Sequence, residues 1–345
     1  MGVDLGGLCA TRPITLESLS GRVIAIDAFN VLYQFLASIR QEDGTPLMDF
    51  KGRPTGHLSG LLYRNARMIE NGIKPVFVFD GKPPGFKAKE IERRKEAKKE
   101  AEAKWREALD YGRIEEAKKF AQATSRLTPE MVAEAKALLT ALGIPFMQAP
   151  SEGEAQAAHM VKKGLAYASA SQDYDSILFG SPRLLRNLSI TGKRKVPRQD
   201  RYVLVEPEEI VFDEVLSTLQ LEREQVILVG MLSGTDFNEG VKGVGAKTAL
   251  KIVKEHKTLA DAKSYVKTKY GYEFKEDAEG IFDFFLNPPV EDTGPAKPGQ
   301  LDTDAARKLL VEQHDFSEER VDRVLNGMEK SLKEKGAQKK IEDWL

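Results

Sequence analysis

The chain has few of the residues that build disulfides, zinc sites or membrane spans. Cys9 is the only cysteine in 345 residues, which excludes an internal disulfide and fits a reducing compartment. The four histidines, His57, His159, His256 and His314, are scattered, with no Cys or His spacing of the zinc type. No apolar run approaches the roughly 18 residues of a membrane span. The opening "MGVDLGGLCATRP" lacks the basic start and long apolar run of a signal peptide. Net charge is nearly absent as well, at −1, which at first argues against a nucleic-acid partner. The signs are segregated, however. "KPPGFKAKEIERRKEAKK" (82–99) carries eight basic residues against three acidic ones, and "RNLSITGKRKVPRQDR" (186–201) is also basic. An average charge says little about a chain with such local patches.

Short apolar runs end in acids or small residues: "RVIAID" (22–27), "PVFVFD" (75–80), "IPFMQA" (144–149) and "LAYASASQD" (165–173). Helical patterns separate them. "HLSGLLYRNARMIENG" (57–72) stops at a glycine, and "TPEMVAEAKALLTALG" (128–143) has Thr128 as N-cap, Pro129 at the first helical position and Gly143 past the end. This alternation predicts an α/β fold, a mainly parallel twisted central sheet with helices on both faces. From about 207 the pattern turns helical, over 208–219, 222–232 and 245–256, and "NPPVEDTGPAKPGQ" (287–300) reads as a surface loop. Between the second strand and Thr128 lies a long polar helical stretch whose first half lacks the apolar stripe of a packed helix. Such a segment projects into solvent, covers a ligand or forms a lid.

Ligands of doubly wound sheets bind at the carboxyl ends of the strands. Asp27 and Asp80 end the first two strands, Glu152 and Glu154 open the helix after the third, and Asp173 and Asp175 follow the fourth. Asp236 sits in a turn after an apolar helix. Taken singly, each has a structural explanation, since Asp caps helices and Glu suits a first turn. Taken together they would share one small space. Two carboxylates 4 Å apart repel by about 4 kcal/mol at an effective dielectric near 20, and no run of Lys or Arg lies inside these motifs to neutralise them. A hard-oxygen, histidine-free set suits Mg²⁺ or Mn²⁺, and seven carboxylates exceed the need of one ion. Two ions are the arrangement of phosphodiester hydrolysis.

"NEGVKGVGAKTALKIVKEH" (238–256) nearly reads as a P-loop, but Ala246 occupies the position of the required lysine and a helical pattern precedes it. The alternative is helix, glycine turn, helix. Backbone N–H groups of Gly243 and Gly245 would then cradle a phosphate at a helix N-terminus, with Lys242, Lys247 and Lys251 adding charge.

At this point "IDAFNVLYQFL", "VFDGKPP", "APSEGEAQAA", "SQDYDSILFG" and "LSGTDFNEGVKGVGAKTA", with the "MGV" start, resemble the structure-specific 5′ nucleases, most closely the flap endonucleases of archaea and eukaryotes. The resemblance runs nearly end to end. It implies two divalent ions, Mg²⁺ with Mn²⁺ able to substitute, on Asp27, Asp80, Glu152, Glu154, Asp173, Asp175 and Asp236. It makes 82–128 a helical arch threaded by a single-stranded 5′ end. Lys87 and Arg94 then reach the scissile phosphate, and their seven-residue spacing puts both on one helical face. Tyr33 stacks near the active site, and Gly2 lies close to the metals and the bent DNA. Residues 222–256 become a helix–hairpin–helix that grips duplex through Gly243, Gly245 and Lys247 and holds a monovalent cation. The implied activity is 5′-flap endonuclease cleavage at the single-strand/duplex junction in replication (Okazaki fragment maturation) and repair, with accompanying 5′–3′ exonuclease action. A sibling exonuclease or junction nuclease, or a non-catalytic DNA- and clamp-binding scaffold, is the alternative. The chain stops without the basic extension of eukaryotic members. In that it resembles the archaeal members and carries no obvious nuclear signal. The family resemblance sets the further expectations: a monomer, cytoplasmic and nucleoid-associated, nuclear only if the source is eukaryotic, with no membrane partner.

The end, "GAQKKIEDWL", places Gln338, Ile341, Trp344 and Leu345 at i, i+3, i+6 and i+7, so one helical turn would present them together. In a replication nuclease that spacing resembles a sliding-clamp (PCNA) binding box. The expected organisation is therefore a nuclease core over 1–325 and a flexible clamp-binding tail over 326–345.

Overall fold

The computed structural model describes residues 3–189, 192–195 and 202–342. Its strands are β1 (Arg12–Pro13), β2 (Val23–Asp27), β3 (Lys74–Phe79), β4 (Phe146–Gln148), β5 (Ala168–Ala170), β6 (Arg183–Arg186), β7 (Gly192–Lys195), β8 (Tyr202–Val205) and β9 (Glu208–Val211). Seven of them form one sheet in the order β1-β9-β6-β5-β2-β3-β4, and β7 and β8 pair as a separate antiparallel hairpin. The five strands from β6 to β4 are parallel, while β9 and β1 extend the edge antiparallel. Central strand β2 sets Asp27 opposite Val78 and Ile26 opposite Ala170. The chain leaves β2 toward β3 and β4, then returns on the other side to β5, so the strand order reverses at β2. A crevice for a ligand opens at the carboxyl ends of such strands.

The helices are α1 (Ala28–Ser38), α2 (Gly56–Glu70), α3 (Ala88–Asp110), α4 (Ile114–Ala123), α5 (Pro129–Ala141), α6 (Gly153–Lys162), α7 (Asp175–Leu178), α8 (Phe212–Leu219), α9 (Arg223–Ser233), α10 (Ala246–Glu255), α11 (Leu259–Tyr270), α12 (Ala278–Leu286), α13 (Thr303–Arg307) and α14 (Glu318–Glu342). Strand alternation assigns the faces. Ile24, Ile26, Phe77 and Phe79 turn to a core shared with α1, α2, α5, α13 and α14. Ala25, Val76 and Val78 turn to the opposite face, under Ala157, Met160 and Val161 of α6. A further core gathers α7, α9, α10 and α12 around Phe179, Phe237 and Phe285. Burying each such large apolar side chain contributes roughly 1.5–3 kcal/mol. Thr128 caps α5 by accepting the Met131 N–H, and Pro129 opens it, as the sequence predicts. No described helix is long and apolar enough to cross a membrane.

Two segments differ from the sequence reading. Residues 208–219 divide into β9 and α8, because Glu208–Val211 finds the open edge of β6, where main-chain pairing outweighs a weak helical pattern. At the other end, α14 carries helical backbone across the expected boundary at 326 as far as Glu342. Gln338 and Ile341 lie on that backbone, with side chains beyond the description, and Trp344 and Leu345 are outside the described residues.

The polar stretch after β3 is a helical hairpin. Among its described side chains the buried positions are alanines: Ala101 and Ala108 on α3, Ala117 and Ala121 on α4. Elsewhere α3 carries ion pairs along its own length, Arg93 and Arg94 to Glu90, Lys95 to Glu92 and Arg106 to Glu102.

Candidate active site

The end of β3 shows how the backbone brings distant acids together. Gly81 donates its N–H to Ser151 O at 2.6 Å, and the Gly153 N–H reaches Asp80 Oδ1 at 2.7 Å. A Cβ on Gly81 would sit 2.0 Å from Ala149 O, so only glycine lets the two segments pass this closely. Asp80 is thereby fixed beside the first turn of α6, where Glu152 and Glu154 stand. Asp27 caps α1, accepting the Asn30 N–H at 3.1 Å. The Asn30 side chain then turns to Asp173, with Nδ2 to Oδ2 at 2.9 Å, and its Oδ1 accepts the Gln172 N–H. Asp175 accepts the Val3 N–H at 2.9 Å, and Ser176 Oγ donates to Glu154 Oε1 at 3.3 Å.

These seven acids feel one another. Asp27 is buried and its carboxyl is driven well above the usual range, first by desolvation, then by Asp80, Asp173 and Glu152. Burial, then Asp175 and Asp27, does the same to Glu154. Asp175 is pushed to about 8 by burial, with Asp236 and Asp173 adding to it. Asp80 and Glu152 are also raised by burial, although Lys87 pulls each down. Asp236 falls below its ordinary value: burial works against it, and Arg94 prevails.

The cations come from the arch. Lys87 Nζ meets Glu152 Oε2 at 2.5 Å, and Arg94 pairs with both Asp236 and Glu90. The structure thus brings Lys87, the N-cap of α3, and Arg94 in that helix onto the same cluster. Phe86, just before Lys87, packs edge-on against Phe237 and Phe284, tying the foot of the arch to the residue after Asp236. Tyr33 of α1 lies beneath Lys98 of α3, whose ammonium is 4.6 Å from the ring centroid. Among the described residues, no three His, Cys, Asp or Glu side chains already enclose a point as an ion cage would. The chemistry of the set still fits hard cations. It is all carboxylate oxygen and largely buried, Lys87 and Arg94 pair into it from the described residues, and burial with neighbouring acids still raises Asp27, Asp80, Glu152, Glu154 and Asp175.

The glycine hairpin lies beyond Asp236. α9 opens on a capping box between Glu222 and Gln225, and Gly245 is the N-cap of α10. Gly243 adopts φ +82°, a left-handed conformation that strains other residues. Gly243, Gly245 and Lys247 are all exposed. Gly2 is outside the described residues, and the adjoining Val3 is the one bonded to Asp175.

Sequence reasoning missed Asn30 and Glu90. Asn30 follows Asp27 by three positions, a helical spacing that could have marked it. Glu90 precedes Arg93 and Arg94 by three and four, the same kind of signal.

Two family models match the chain, the XPG N-terminal domain over residues 5–101 and the XPG I-region over residues 143–236. Flap endonuclease 1 of Pyrococcus furiosus is 53% identical over 345 residues, covering 100% of this chain and 99% of that one. The chain belongs to the flap endonuclease family. A flap endonuclease-1 from Methanococcus jannaschii has the same fold, with a TM-score of 0.75 at 38% identity over 97% of this chain and 100% of that one. The catalytic core of Rad2 in complex with DNA substrate aligns with a TM-score of 0.67 at 27% identity, over 92% and 96% of the two chains. Membership of the flap endonuclease family makes the chain a nuclease that hydrolyses DNA phosphodiester bonds, and the family is metal-dependent. All seven carboxylates, Tyr33, Lys87 and Arg94 fall inside the two matched regions.

Proposed function

We propose that the chain incises 5′-flap DNA near the junction of single strand and duplex, using two Mg²⁺ ions held by Asp27, Asp80, Glu152, Glu154, Asp173, Asp175 and Asp236, with Mn²⁺ able to replace them. One observation carries this reading: seven acids gather in a largely buried crevice at the carboxyl edge of the sheet, and burial and neighbouring acids hold Asp27, Asp80, Glu152, Glu154 and Asp175 above their ordinary range. When bound, the ions supply an activated water and charge neutralisation at the phosphate. The protein does the rest. Asn30 and the Val3 N–H hold Asp27, Asp173 and Asp175 in place before substrate arrives. Lys87 and Arg94 exchange Glu152 and Asp236 for the scissile phosphate and steady its developing charge. Tyr33 and Lys98 form a stacked wall beside them. Gly243, Gly245 and Lys247 take the duplex backbone without reading bases, with a monovalent cation at that turn.

Gln338, Ile341, Trp344 and Leu345 serve as a sliding-clamp (PCNA) peptide, and the enzyme works as a monomer in the cytoplasm on Okazaki fragments and repair intermediates. Deleting 338–345 abolishes clamp stimulation and spares clamp-free cleavage; stimulation that survives removes the tail from this role. The main test is cleavage of an end-labelled 5′-flap duplex with and without Mg²⁺, beside nicked, bubble and four-way substrates. A single cut near the flap junction that needs the metal is the expected result. Preference for four-way or bubble DNA would move the chain to a sibling activity.

A further inference from the structure

The 16 residues 287–302 form neither helix nor strand, yet they join all three cores. The segment leaves α12, whose Phe284 and Phe285 belong to the helix–hairpin–helix core. It passes over α6, where Ala296 packs with the small core on that face of the sheet. It ends against α5: Gly299 donates its N–H to Gly143 O at 2.9 Å, Asp302 to Ala141 O at 2.7 Å, and Leu301 packs on the main core. Its grip on α6 is specific. Gln156, 0% exposed, closes a two-bond ring with the Glu291 main chain, Nε2 to O and Oε1 from N–H, both at 2.8 Å. His159 Nε2 and Lys163 Nζ meet Asp292 Oδ1 at 2.7 and 3.1 Å. Gln156, His159 and Lys163 stand at i, i+3 and i+7, one face of α6.

The first turn of that same helix carries Glu152 and Glu154. We infer that Gln156 is a positioning residue: by latching the strap to α6, it fixes the distance between the duplex-gripping hairpin and the carboxylate cluster, and so sets which phosphodiester is cut. A side-chain amide that reproduces both bonds of a β-ladder pair holds a non-strand segment in one register. Without it, Glu291 keeps two main-chain groups unpaired under α6, and the strap can slide. α12 would move with it, and with α12 the α9–α10 hairpin against which it packs. A displacement of about 1 Å in substrate placement is enough to cost up to ~100-fold in rate.

The inference rests on the proposed flap cleavage, and its test separates the two. The parent, Gln156→Leu and a two-glycine insertion after Gly294, an open position of the strap, are compared on an end-labelled 5′-flap duplex, with Mn²⁺ binding measured on each protein without DNA. Both variants should keep parental Mn²⁺ binding, spread incision over neighbouring phosphodiesters, and lose about 10-fold in kcat/KM, mostly through KM. Parental product length and KM in both variants, even with a lowered Tm, would overturn the inference and leave flap cleavage standing. If Gln156→Leu does not fold, the insertion decides alone. A parent that leaves every flap uncut would overturn the functional reading and this inference with it.

Discussion

Two clusters of buried charge sit on opposite sides of this molecule's logic. In the crevice, seven acids meet Lys87 and Arg94 and most are raised above their ordinary range. The second cluster joins α2, α5, the loop before α2 and the turn after the π-helical segment Lys308–Glu312 that continues α13. His57 Nε2 lies 3.0 Å from Glu134 Oε2, and His314 bridges Glu134 Oε1 and Asp49 Oδ2 at 3.2 Å each. Arg53 pairs with Asp49 at 2.7 Å. There Glu134 and Asp49 are lowered: burial pulls upward, but bonds from His57 and Arg53 win. The same residue type therefore moves in opposite directions according to the partners it meets. A balanced cluster is a structural joint, and an unbalanced one is a site waiting for positive charge.

Four substitutions or conditions sharpen that contrast. The largest effect belongs to the crevice: Asp175→Ala should lower flap cleavage at least about 10³-fold while flap binding, measured by fluorescence anisotropy, stays near parental. Next, Lys87→Ala should lose about 10²–10³ in single-turnover rate, because only a developing charge on the phosphate uses it fully. In the balanced cluster, Glu134→Ala should cost about 3 kcal/mol of stability by denaturant titration, since it strips both histidines of a partner, with single-turnover cleavage unchanged at a temperature where it is folded. The smallest effect is the most diagnostic. A carboxyl whose folded pKa exceeds its unfolded value holds extra protons between the two, so the metal-free fold loses stability as pH rises from about 4 toward the value near 8 of Asp175. Glu134 and Asp49 have the opposite sign, their contribution being present above the unfolded range and lost as pH falls through the folded one. Thermal melts from pH 6 to 8.5 should show the metal-free Tm drifting down and Mg²⁺ removing the drift. A Tm that rises with pH in the absence of metal would contradict the charge imbalance.

Much of the crevice is legible in the sequence because strand ends are. A parallel strand is a short apolar run, and an acid at its end has only one edge of the sheet to occupy. Lys87 and Arg94 are legible through resemblance and helical spacing, although the sequence gives no sign that each would pair with an acid of the crevice, Glu152 and Asp236. What escapes is long-range and mediated by single bonds. The balanced cluster unites His57, Glu134 and His314 from distant segments, and in the chain those histidines look merely scattered. The strap reads as a plain surface loop, since nothing in its composition announces that Gln156 will close on its main chain. Strand β9 escapes for another reason: four residues with mixed pattern become a strand only when β6 offers its edge for pairing.

The central claim is that the seven acids are a two-cation site. Isothermal titration of Mn²⁺ into the parent and Asp175→Ala at pH 8 tests it most directly. The account predicts two ions per parental chain, protons released as they bind, and loss or marked weakening of binding in the variant. No binding to the parent, or the same stoichiometry and affinity in both proteins, would contradict it.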